Sequence, residues 1–176
     1  MLTDRSFTVS NTMTTEPKTL KEAAEALYTT TPRAISCAML EEYGIEATAA
    51  QAEDITYELL SLNLYWAHVA IESYLPREFR TVMCEYLLEL IRLDWSGQFK
   101  LSHAKWADYR QELEARRHTY AQVVEAGGSP LAVQTEAGAL LEDRGAVREE
   151  DRSKFLALLI DLVPVEAYGE LLKGLG

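Results

Sequence analysis

The chain has 176 residues, 48% hydrophobic and 26% charged, with a formal charge of −11. That length suits one globular domain with a buried core, and a polyanion of this kind argues against nucleic acid and anionic lipid as partners. Only 5 prolines and 9 glycines interrupt a sequence dominated by helix formers, so the predicted class is all-α, a helical bundle.

Residues 1–17 are rich in Thr, Ser and Asn and lack apolar periodicity. They read as a mobile tail, with Met13 a second candidate start beside Met1, and residues 18–176 read as a single helical domain. No stretch reaches the roughly 18 apolar residues of a membrane span. The longest, Phe155 to Val163, is short and carries Asp161. No apolar core of a signal peptide stands at the start, so a cytoplasmic address is expected, with no membrane partner. Cys37 and Cys84, both in apolar surroundings, are expected to be buried free thiols.

In chain order, an amphipathic segment over 19–30 carries Leu20, Ala23, Ala24 and Leu27. Thr31-Pro32 reads as the start of a second helix that stops at Gly44. Thr48 and Gln51 have capping-box spacing and open the longest helix, 49–74. Pro76 breaks it and begins another over 77–95, and Ser102 is the expected cap of a third long helix over 103–126. Gly127-Gly128 ends that helix, Ser129-Pro130 begins one reaching Asp143, and a final pair, 150–163 and 165–173, divides at Pro164. Three long helices thus make the bundle, with shorter helices flanking at both ends.

The longest helix carries two apolar stripes, one through Leu59, Leu62, Trp66 and Val69, the other through Leu60, Leu64, Ala67 and Ile71. Between them, at steps of three and four, lie Gln51, Asp54, Glu58, Ser61, Tyr65, His68 and Glu72. Such a stripe reads most simply as the solvent edge of a helix covered on two sides. Turned inward, its carboxylates, imidazole and phenol would instead line a ligand pocket.

Metal binding has weak support. Di-iron bundles need Glu-x-x-His, whose two side chains project inward one turn apart, and the residues three before the histidines are Tyr65, Lys100 and Ala115. What the chain offers is His68 with Glu72, and Glu114 with His118, each pair four apart on a different long helix. Were a metal bound, these four would be its ligands; none is expected, and no cofactor. Tyr65, His68, Glu72, Glu114 and His118 are therefore the candidate ligand-binding residues. The chain contains no glycine-rich phosphate loop, Gly-x-Ser-x-Gly, His-Glu-x-x-His or Cys-x-x-Cys motif, and Cys84 has no histidine near it in sequence.

The stretch from Ala34 to Ile55 has the outline of a helix-turn-helix, yet from Ala34 to Pro76 there is no Lys or Arg. A DNA-reading helix needs cations for phosphates, so DNA binding is not expected there. Between Phe99 and Tyr120 basic residues mix with aromatics, a pattern that suits single strands. The helical spacing of Trp106, Tyr109, Leu113, Tyr120 and Val124 assigns the aromatics to core packing instead. Lys and Arg of this segment then have the preceding acidic helix to pair with, in the same chain or a second copy.

The C-terminal pair is apolar around most of its circumference, from Phe155 to Leu175. Left wet, it would forfeit roughly 1.5 to 3 kcal/mol per large side chain, so it must close over the core or meet another subunit. Two functions follow. The first is an all-helical protein-interaction module whose partner is another protein or itself, most simply as a two-fold homodimer. The second is a ligand- or metal-binding bundle, an enzyme if it has a reaction, with its pocket around Tyr65, His68 and Glu72.

Overall fold

The computed structural model describes residues 19–175, and every regular element among them is helical. The helices are α1 (Leu20–Thr30), α2 (Cys37–Glu42), α3 (Ala49–Tyr74), α4 (Arg77–Leu93), α5 (Trp106–Glu125), α6 (Pro130–Asp143), α7 (Arg152–Leu162) and α8 (Val165–Leu172). Short 3-10 turns stand at Glu149–Asp151 and Lys173–Leu175. The class is the all-α bundle expected. The tail expected over 1–17, and the choice of Met1 or Met13, lie outside the described residues.

Local chemistry explains most boundaries. Thr19 with Glu22 and Thr48 with Gln51 form reciprocal capping boxes at the starts of α1 and α3. Ser129 caps α6, with Pro130 in its first turn. At the far end of α5, Gly127 has φ of 88° and its N–H bonds to Val124 O, while Gly128 N–H reaches back to Val123 O. This pattern needs a left-handed residue just past the helix, which glycine supplies without strain.

Three expected boundaries are corrected by hydrogen bonds made outside the helices. The helix expected from Pro32 runs only over Cys37–Glu42, capped by Ser36. Upstream of it, Ala34 N–H bonds to Gln98 O and Ile35 N–H to Thr56 Oγ1, so these donors are spent on other elements. The helix expected to reach residue 95 ends at Leu93. Trp95 turns inward, its indole donating to Ala104 O at 2.8 Å. That turn delays α5 to Trp106, and its N-cap is Lys105 without a side-chain cap bond, not Ser102.

α3 is the axis of the bundle, packed against α4, α5, α6 and α8. Ile55, Leu59, Leu62, Ala67 and Ile71 on it are at most 2% exposed. α1 lies across α4 and α8, and Tyr28 at its end donates a hydrogen bond to Asp94. Of the α5 residues assigned to the core, Tyr109, Leu113 and Tyr120 are buried and Trp106 is half-buried against it, whereas Val124 is exposed.

The C-terminal pair resolves one alternative. Phe155, Leu158, Leu159, Val163, Tyr168 and Leu172 are all buried within the chain, because α8 closes on α3 and α1 while α7 closes on α6. Ile160 is the large apolar side chain of this pair left exposed among the described residues. The surface expected to drive self-association is thus mostly used inside the fold. No helix among the described residues is long and apolar enough to cross a membrane.

Candidate functional site

The polar stripe of α3 does not run along solvent. Its two ends, Gln51 with Asp54 and Glu72, reach the surface, but Glu58, Ser61 and Tyr65 are 1%, 1% and 5% exposed. The solvent-edge reading is corrected at its centre, because α5 covers that face and supplies polar partners. Glu58 accepts from Arg116 Nε at 2.9 Å and from the Tyr120 hydroxyl. Ser61 Oγ lies 3.4 Å from the Tyr109 hydroxyl, and the ring of Tyr65 meets that of Tyr120 edge-on. Burial pushes the Glu58 carboxyl pKa up, and Arg116 and Tyr120 oppose that shift. An acid and a base of the two helices therefore meet inside one chain, as charge complementarity suggested.

One and two turns beyond Tyr65, the stripe opens into a cleft between α3, α4 and α5. The chain reverses at Pro76, so α4 returns beside α3, and His68 and Cys84, eight residues on either side of that proline, come together. His68 Nδ1 lies 3.3 Å from Cys84 Sγ, and His68 Nε2 lies 3.1 Å from Glu72 Oε1. Arg117 of α5 brings an Nη2 donor to the same Nε2 and donates from Nη1 to Glu114 at 2.9 Å. A carboxylate can only accept and a guanidinium only donate, so each tautomer of a neutral imidazole serves one of them. With Arg117 served, the proton sits on Nδ1 and points to Cys84 sulfur.

Burial lowers the His68 pKa, Arg117 lowers it further, and Glu72 partly offsets both. Burial pushes the Cys84 thiol up to about 11. The resting pair is therefore a thiol and a neutral imidazole, not the thiolate and imidazolium of an activated nucleophile. This chemistry favours holding a ligand over attacking one.

The five candidate residues meet in space. Tyr65, His68, Glu72, Glu114 and His118 all border one open hollow of about 340 Å³, together with Arg117. They do not converge as metal ligands. Among the described residues no group of three or more His, Cys, Asp or Glu side chains could hold a metal ion. A guanidinium already faces His68 Nε2, and His118 Nε2 lies beside Gln122 instead.

Sequence reasoning missed Cys84 and Arg117, which form the inner wall. Behind them lies an apolar recess of about 30 Å³ bordered by Leu64, Ile71, Leu87, Leu88 and Leu113. In front, a groove of about 400 Å³ adds Arg77, Arg80 and Arg110. The equal spacing of His68 and Cys84 about Pro76 is the signal that could have found the pair. Both cysteines are free, as expected, but half-buried rather than buried. No family model, no curated protein and no solved structure matches this chain.

Proposed function

We propose that the chain is a cytoplasmic small-ligand-binding helical bundle working through the cleft between α3, α4 and α5. One observation carries the reading: a small apolar recess adjoins a polar mouth that gathers His68, Cys84, Glu72, Glu114 and Arg117 from three helices. Ligand sites have this composition, apolar walls for affinity and a few placed polar groups for orientation. The two free thiols suit a reducing compartment. Binding, not turnover, is the activity assigned, because the thiol and imidazole rest in their neutral forms.

The experiment is a fragment screen read by amide and side-chain NMR on the full chain. Hits should cluster on His68, Cys84, Leu88 and Arg117. Hits scattered over the surface would remove the reading.

A second reading, a protein-interaction module that pairs as a homodimer, is supported by the outer side of α4. Phe79, Val82, Tyr86 and Leu93 lie there at helical spacing and are 43%, 47%, 47% and 67% exposed. Both functions fit one chain, since the row and the cleft lie on different sides of α4.

A further inference from the structure

The chemistry of the cleft specifies its ligand more narrowly, given that the cleft is a binding site. The recess behind His68 holds about 30 Å³. On that measure one water needs roughly 10–15 Å³, so there is room for about two water-sized groups, or an arm of about two or three carbons. Leucine and isoleucine side chains form most of its wall, and an apolar recess of this kind gains more from carbon than from water.

The mouth supplies charge. The groove that shares His68, Cys84, Leu88 and Arg117 with the recess is bordered by four arginines and three glutamates. With His68 neutral and Cys84 a thiol, the side chains leave one positive charge over, in a chain whose formal charge is −11. The surplus has a location. Arg110 pairs with Glu85 at 3.2 Å, Arg117 with Glu114 at 2.9 Å, and Glu72 lies on His68 at 3.1 Å. Arg77 and Arg80 have no carboxylate partner among the described residues. Arg80 is nonetheless held in place, its Nε donating to Leu75 O at 2.9 Å, which leaves its two terminal nitrogens to present to a ligand. A planar guanidinium so oriented matches a carboxylate.

We infer that the cleft binds a short-chain monocarboxylate, its acid group on Arg80 with Arg77 alongside and an arm of two or three carbons in the recess bordered by Leu64, Ile71 and Leu88. A single negative charge balances the mouth, where a phosphate dianion would overshoot. Each buried methylene adds about fourfold to affinity, so the chain length of the acid is read directly in its binding.

The test titrates the full chain with acetate, butanoate, octanoate, 1-butanol and inorganic phosphate, followed by NMR at His68, Cys84 and Leu88. Butanoate should bind about tenfold or more tightly than acetate, 1-butanol or phosphate, and octanoate should gain nothing over butanoate. Arg77→Gln and Arg80→Gln should each weaken butanoate severalfold or more; Arg77 is the cleaner variant, since its side chain makes no hydrogen bond or ion pair among the described residues. Butanol binding as tightly as butanoate would overturn the carboxylate while leaving the cleft a binding site. Acetate or phosphate matching butanoate would overturn the apolar arm. Fragments that occupy the cleft while butanoate does not would sink this inference alone, and an empty cleft throughout would sink the proposed function with it.

Discussion

His68 has Nδ1 committed to Cys84 and Nε2 placed between Glu72 and Arg117, so a second proton enters at Nε2, where it displaces the Arg117 donor. Its pKa is lowered from 6.5, first by burial and then by Arg117. Between 6.5 and that lower value the unfolded chain binds a proton the folded chain refuses, so stability falls as pH falls through this window. Above 6.5 the contribution is fully present, and below the folded pKa no more is lost. Melting temperatures across mildly acidic pH should therefore drop less for His68→Gln than for the unsubstituted chain; parallel curves would show that another group sets the slope. The histidine itself was legible in the sequence, because the spacing Tyr65, His68, Glu72 is a property of one helix. Cys84 and Arg117 were not, since each reaches the site from another helix. Their roles depend on how Pro76 and the 94–105 turn set α4 and α5 against α3.

At the scale of elements, the sequence showed where helices start and stop wherever the signal is a local cap: Thr48 with Gln51, Ser129 with Pro130, Gly127 past α5. It misplaced the segment at 31–36, whose backbone donors bond to Gln98 and Thr56 far along the chain, and the turn at 94–105, where Gln98 O accepts from Ala34 and the Trp95 indole donates to Ala104 O. The rotation of α3 was equally hidden, because two apolar stripes flanking a polar one permit either orientation. The decision rests on α5, which meets Glu58 with Arg116 at 2.9 Å in a setting where the two side chains are 1% and 12% exposed. Removing one partner of such a pair strands a buried charge at a cost of about 3 kcal/mol or more. Arg116→Met should lose about that much in chemical denaturation. Adding Glu58→Gln should recover most of it, because the amide oxygen still accepts from Tyr120 and no charge remains. A loss under about 1 kcal/mol for Arg116→Met would mean that water reaches the pair and that the seam between α3 and α5 is looser than described.

For the whole molecule, the question is where a second copy would sit. The C-terminal helices are covered by their own chain, leaving the α4 row of Phe79, Val82, Tyr86 and Leu93 as the apolar surface in one line. A stable interface buries about 800 Å² per partner, more than four part-exposed side chains supply, so pairing through this row is expected to be weak. It also brings together two chains of charge −11, whose repulsion is screened by salt. Sedimentation across the micromolar range should therefore show association that strengthens as salt rises from about 0.05 to 0.5 M, the opposite of a contact held by ion pairs. Leu93→Glu and Val82→Glu should abolish it, each placing a carboxylate in the row, while Ile160→Glu on α7 should leave it intact. Loss on Ile160→Glu alone would return the interface to the C-terminal helices. A chain that stays monomeric at every salt concentration would remove the homodimer and leave the cleft as the one function the fold supports, because the cleft draws all of its walls from a single copy.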